Sequence, residues 1–271
     1  MSSDHQRLRL LSYNIQTGLS TRKYSEYLTR SWKHVLPVPS RMHNLDNIAQ
    51  LLSGFDIVGL QEVDKGSLRS GFVDQPAYLA GRGGFPFVYG EANRRLGVLG
   101  QHANAVLTRF RPTLVAQHRL PGLLPGRGLM QLRFGEGADA LHLYILHLAL
   151  GRRGRHLQLD FVADLIGDAR HVIVMGDLNC QGSSPELSAL RERTGLRLPD
   201  AHWLPTFPSW NPRRPLDHIL VSPSITIERV EVLHQTYSDH LPLAMNVLLP
   251  AAPWRTPVAD ARGHREDWAG A

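Results

Sequence analysis

Residues His171 to Cys180 read HVIVMGDLNC. Four apolar residues, Val172 to Met175, run into Gly176 and then into a carboxylate and an amide two positions apart, Asp177 and Asn179. A short β-branched run closed by glycine predicts a buried strand that empties into a tight turn. Strand side chains alternate faces, so Asp177 and Asn179 are able to point the same way at the strand end. Oxygen donors on a rigid strand end suit a hard divalent cation or an activated water. Taken alone, such a pair is more often an Asx turn that caps the strand. The rest of the chain decides between the two.

Working outward, the same design recurs. Leu8 to Ile15 predicts a strand with Asn14 near its end, and Ile57 to Leu60 a buried strand that stops at Gln61 and Glu62. Ala103 to Thr108 predicts a strand that carries Asn104. Others are predicted at Phe85 to Tyr89, Leu114 to Gln117, Leu129 to Phe134 and Leu141 to Leu148, the last holding His147. Leu216 to Val221 begins with Asp217 and His218; Ile225 to Val232 follows, and Ser238-Asp239-His240 introduces a final strand, Leu243 to Leu249. Helical spacing of apolar residues predicts helices at Arg41 to Ser53, Gln75 to Leu79, Arg152 to Ile166 and, behind a proline, Pro185 to Arg193. Thr206 to Pro215 carries three prolines, which predicts irregular chain. Many short strands with a few helices between them predict one α/β domain over residues 1–250, a sandwich of two layered sheets. Residues 1–7 and the tail 251–271 are expected to be loosely held. Gln16 to Ser40 has no clear period; it joins Arg22, Lys23, Arg30 and Lys33 to Tyr24, Tyr27 and Trp32, and so predicts a long basic, aromatic loop.

The chain has 271 residues, enough to bury a substantial core. Thirty Lys and Arg against 24 Asp and Glu give +6, which favours anionic partners without choosing among nucleic acid, phosphorylated small molecules and lipid surfaces. A single cysteine, Cys180, excludes an intrachain disulfide and a thiolate metal cluster and is expected to be a small buried thiol. No apolar run reaches the roughly 18 residues of a membrane span, and the first residues lack the apolar core of a signal peptide, so the expected location is cytoplasmic.

One polar group at a strand end means little. Six strand ends or turns bearing only carboxylate, amide and imidazole point to one shared site. Glu62 and Asp239 are hard donors fit for magnesium or manganese, imidazoles are able to donate to phosphate oxygens, and an Asp beside a His fixes its tautomer. The chemistry such a set supports is metal-assisted attack of water on a phosphoester.

The succession SYNIQ (12–16), DIVGLQEVD (56–64), HANAVLTR (102–109), HL at His147, VMGDLN (174–179), LDHILVS (216–222) and SDHLPL (238–243) resembles the endonuclease/exonuclease/phosphatase, or DNase I-like, superfamily. The motifs stand in family order across residues 8–249. The resemblance implies a four-layered α-β-β-α sandwich of two packed mixed sheets and a phosphoesterase dependent on Mg2+ or Mn2+. It implies metal-site roles for Glu62, Asn14 and Asp239. It makes Asp177 the residue that activates water, Asn179 the one that holds the phosphate, and His240, oriented by Asp217, the phosphate-contacting histidine. His147 matches the histidine of the sphingomyelinase and phosphatase branches, where Asn104 has a structural or substrate-contacting counterpart.

Gln16 stands where exonuclease III-type repair enzymes carry an acid, and His147 where they usually offer tyrosine. Both features draw the chain toward the sphingomyelinase-like branch of small bacterial phosphodiesterases. The expected partner is a phosphoester, whether phospholipid, nucleic acid or small phosphodiester, met by a monomer with peripheral contact to an anionic membrane. A nuclease is the alternative, favoured by the charge and by Arg152, Arg155 and Trp210 as substrate-binding candidates. A non-catalytic phosphate-binding module is the third reading.

Overall fold

The structure, a computed structural model, describes residues 5–19, 40–95, 101–122, 127–200 and 204–250. Residues 20–39 of the expected basic loop and the tail 251–271 lie outside the described residues. The first part of that loop, Gln16–Gly18, is a buried single turn whose residues take φ of 44, 53 and 75.

Eleven strands are described: β1 Gln6–Asn14, β2 Ile57–Asp64, β3 Phe87–Arg95, β4 Gln101–Thr108, β5 Leu114–Arg119, β6 Gly128–Phe134, β7 Leu141–His147, β8 His171–Asp177, β9 Asp217–Val221, β10 Thr226–Val232 and β11 Leu243–Leu249. They form a six-stranded sheet, β10-β11-β1-β2-β4-β3, and a five-stranded one, β5-β6-β7-β8-β9. Each sheet is mixed, because β1 runs parallel to β2 and β7 parallel to β8 while the remaining neighbours are antiparallel. A parallel pair needs a long crossover. Helix α1, Ser40–Leu52, lies in the first crossover and α3, Arg152–Ile166, in the second. Helix α2, Gln75–Gly83, and α4, Pro185–Thr194, complete the set.

The apolar pattern of each strand sorts into layers. Leu8, Leu10, Ile145, Ile173, Met175 and Ile219 join one core between the sheets. Leu45, Ile48 and Leu52 of α1 and Leu79 of α2 pack on Leu11, Val58 and Leu60 outside the larger sheet. Leu159 and Val162 of α3 and Leu187 and Leu190 of α4 cover Tyr144, Val172 and Val174 outside the smaller one. The expected α-β-β-α sandwich is therefore the fold. No helix among the described residues is long and apolar enough to cross a membrane.

The departure that matters for the site is in β2. Strand β2 does not stop at Leu60; it continues to Asp64 through a bulge, with the register to β4 shifting between Leu60 and Val63. At the bulge Glu62 takes φ 55. A bulge re-aims a side chain, and here it is Glu62 that turns out of the alternating pattern. Beyond it, the buried Asp64 accepts hydrogen bonds from the backbone and hydroxyl of Ser67, from Ser70 Oγ and from Arg69 Nε. Burial pushes the Asp64 pKa up, but the Ser67 and Arg69 bonds outweigh it and hold the group at about 2. The bulge is thus anchored on its far side by a fixed carboxylate.

Candidate active site

The register of the smaller sheet places three functional side chains in one row. His147 on β7 pairs with Asp177 on β8, and Asp177 pairs with Asp217 on β9. The parallel pairing of β1 and β2 sets Asn14 beside Gln61, one residue from Glu62, in the facing sheet. The two sheets therefore meet the site from both sides at one end of the sandwich.

Asp177 is at the centre and is 2% exposed. Its Oδ1 accepts from the Asn179 backbone N–H at 3.0 Å, and its Oδ2 from Asn14 Nδ2 at 3.2 Å. Two imidazoles face the same Oδ2, His147 Nε2 at 3.4 Å and His240 Nε2 at 3.7 Å. Burial raises the Asp177 pKa to about 7; the nearby His240 and the Asn14 and Asn179 hydrogen bonds pull it down and Asp217 pushes it further up. A carboxyl poised near neutrality suits a general base.

His240 is bound through Nδ1 to Asp217 Oδ2 at 2.8 Å, and the Phe207 ring packs 4.8 Å from its own. Burial disfavours its charge, but Asp217 and Asp177 overcome that and raise its pKa well above the usual histidine value. Asp177, Asp217 and His240 offer ligand atoms within 4.8 Å of one another. Two of those groups already bind each other, so the trio is better suited to a hydrogen-bonded relay than to enclosing an ion. Glu62, whose side chain is 30% exposed, presents Oε1 3.9 Å from His147 Nε2. Burial and the charge of Asp239 raise its pKa, while His240, an Asn14 hydrogen bond and Arg127 lower it. A carboxylate close enough to Asp239 to feel its charge, with the Asn14 amide beside it, fits a hard divalent cation. Glu62, Asp239 and Asn14 are the residues that would hold it.

The other candidates are placed differently. Asn179 has φ 52 and donates Nδ2 to the Leu148 carbonyl at 2.9 Å, tying the loop after His147 to the loop after β8. Asn104 is buried and donates to the Gly128 carbonyl at 2.9 Å, so it tethers the two sheets. Arg155 is engaged by partners within the protein. It binds Glu186 through Nε and the Leu150 carbonyl through Nη1, so its donors hold a loop and helix together where phosphate binding was expected. Arg152 is exposed and 3.7 Å from Glu186. Trp210 is half-buried in the loop that also carries Phe207 and Ser209. Cys180 is buried, as expected. Sequence reasoning missed Arg127, near enough to Glu62 to influence it, and Thr206, which bonds Asp217 at 2.5 Å.

The Arg155–Glu186 pair has a measurable consequence. Burial raises its pKa, but its own backbone N–H and Arg155 prevail and hold it below 4.5. Its stabilising contribution is therefore complete above about pH 4.5 and is lost as the pH falls through the lower folded value. Glu186→Gln is expected to melt below the parent protein at neutral pH and to converge with it as the pH falls below the lowered folded value, as thermal denaturation over an acid series would record.

Two packed mixed sheets flanked by helices, with acid, amide and imidazole groups gathered at their strand ends, define a DNase I-like α/β sandwich. Residues 11–240 match the sequence profile of the Endonuclease/Exonuclease/phosphatase family, so the chain belongs to that family, one of phosphoester hydrolases. No curated protein sequence matches it significantly. Solved structures similar in fold include an endonuclease/exonuclease/phosphatase from Beutenbergia cavernae, at 20% identity and TM-score 0.70 over 91% of this chain and 72% of that one. Others are the mannosyl-6-phosphatase Bt3783 of Bacteroides thetaiotaomicron (18%, 0.66, 89% and 99%) and the catalytic domain of human Nocturnin with bound sulfate (19%, 0.64, 90% and 96%).

Proposed function

We propose that the chain is a divalent-metal-dependent phosphodiesterase acting on a phospholipid or small phosphodiester. The observation that carries this reading is Asp177, buried, held at about 7 and faced by two imidazoles. Asp177 accepts the proton of the attacking water. His240, kept protonated at Nδ1 by Asp217, offers Nε2–H to a phosphoryl oxygen as charge develops there. His147 stands on the other side of the same carboxylate and presents a second donor. Magnesium or manganese, held by Glu62, Asn14 and Asp239, would polarise the phosphoryl oxygen and offset its charge. Positive φ at Gln16, Thr17, Glu62 and Asn179 supports the assignment, since backbone strain of this kind collects at functional sites.

A nuclease remains the second reading, on the chain's +6 charge. It is weakened by Arg155, whose donors are taken by Glu186 and the Leu150 carbonyl. The test is a panel at one salt concentration: bis(p-nitrophenyl) phosphate, sphingomyelin and glycerophospholipid vesicles, inositol phosphates, plasmid DNA and RNA. With Mg2+, turnover of the small diester and of a lipid or small-molecule substrate is expected. EDTA should abolish it and added Mg2+ restore it. Preferential cleavage of DNA or RNA would establish the nuclease, and no turnover of any phosphoester with metal supplied would leave a binding module.

A further inference from the structure

The three prolines of Thr206 to Pro215 predict only irregular chain, yet the loop closes over the Asp217–His240 pair. Thr206 is fully buried. Its N–H donates to the Arg214 carbonyl at 3.0 Å and its own carbonyl accepts from Leu241 N–H at 2.7 Å. The residue is therefore pinned between the lead-in to β9, which carries Asp217, and the segment that carries His240. Its Oγ1 lies 2.5 Å from Asp217 Oδ2, while the N–H groups of Leu216 and Asp217 approach the same oxygen at 3.4 Å each. A hydroxyl has one proton and two lone pairs. The two N–H groups face the lone pairs, so the proton goes to Asp217. Asp217 Oδ2 thus accepts from Thr206 on one side and from His240 Nδ1, 2.8 Å away, on the other.

We infer that Thr206 is a positioning residue of the proposed hydrolysis. It acts through Asp217, to which its hydroxyl donates. By fixing the Asp217 carboxylate, it fixes the direction of His240, whose Nε2 then faces the Asp177 side of the site. Phe207 supports the same arrangement: its N–H donates to the Arg214 carbonyl at 3.0 Å, and its ring lies against the imidazole. The inference rests on the catalytic reading above, and its test separates the two.

The full chain is assayed on bis(p-nitrophenyl) phosphate with Mg2+ as Thr206→Val, Thr206→Ser and Asp217→Asn. Valine keeps the volume of threonine and removes the donor. Thr206→Val is expected to lower kcat by about 10–100-fold with KM within about twofold, the size of effect that outer-shell partners have. Thr206→Ser, which restores the donor, should recover most of the rate. In 1H–15N spectra, the Nδ1–H signal of His240, hydrogen-bonded to Asp217, should shift or broaden in the valine variant and return to the parent position in the serine variant. Parent-like kcat in Thr206→Val beside an inactive Asp217→Asn would overturn the role of Thr206 alone. Equal losses in the valine and serine variants, with a lowered melting temperature, would overturn it too, by showing a purely structural residue. Full activity in Asp217→Asn would overturn the catalytic reading itself and Thr206 with it.

Discussion

Asp177→Asn is expected to lower kcat on a small phosphodiester by about 10²–10⁴-fold, the contribution of a positioned proton acceptor, with KM little changed. The substitution keeps shape and volume, and Asn Oδ1 is still able to accept from the Asn179 N–H that now binds Asp177 at 3.0 Å. Its new amide meets the Asn14 Nδ2 donor, 3.2 Å from the present Oδ2, and no flip relieves it, because the oxygens of the two amides accept from the Asn179 and Gln16 N–H groups. The melting temperature should therefore fall by the loss of one buried hydrogen bond, about 1 kcal/mol, while the rate collapses. Steady-state kinetics beside thermal denaturation would check this. A variant that turns over at the parent rate would remove Asp177 from the chemistry and leave His147 as the next candidate, since its Nε2 is 3.4 Å from the same oxygen. Removing a base by mutation also separates chemistry from binding. Vesicle or diester binding that survives in Asp177→Asn would place the loss in the reaction step.

Much of the sandwich was legible because most strands are continuous apolar runs. Leu243 to Leu249 and Arg152 to Ile166 match their elements residue for residue. Strand β2 misled because a bulge inserts a residue into the alternation, so Gln61 and Glu62 read as a stop where the strand turns and goes on to Asp64. Strand β3 was read short, to Tyr89, because its second half is polar, GEANRR, and it also begins later, at Phe87. For the site, residue type picked out His147, Asp177, Asp217 and His240 as candidates, and sheet register sets the first three in one row. Register cannot say where a long side chain goes. Arg155 looked available for phosphate until Glu186, 31 positions away, took its guanidinium. Thr206 had no signal at all, since a threonine in a proline-rich loop resembles any other until the loop is folded over Asp217.

Gly176→Ala is expected to cost more than about 4 kcal/mol and to leave little folded protein, a loss comparable with the whole stability of many domains. The glycine precedes Asp177 at the end of β8 and pairs with Leu146 of β7. It has φ 152, and a Cβ built there would lie 1.9 Å from the Leu146 carbonyl oxygen and 2.9 Å from its carbon. Both atoms are backbone, so no rotamer change relieves the clash. β8 must move away from β7, which separates His147 from Asp177 and breaks the row on which the site depends. Gly151→Ala is the control: that glycine has φ −88, and nothing lies within 4 Å of the added Cβ. It should stay within about 0.5 kcal/mol of the parent protein. Urea titrations of both variants give the comparison directly. A Gly176→Ala protein that unfolds with the parent midpoint would mean that β7 and β8 do not approach so closely, and that His147 and Asp177 are held together by something other than their strands. The glycine of HVIVMGDLNC thus has a structural task next to the chemical one of its neighbour. It lets two backbones come close enough for a buried carboxylate to meet two imidazoles at once.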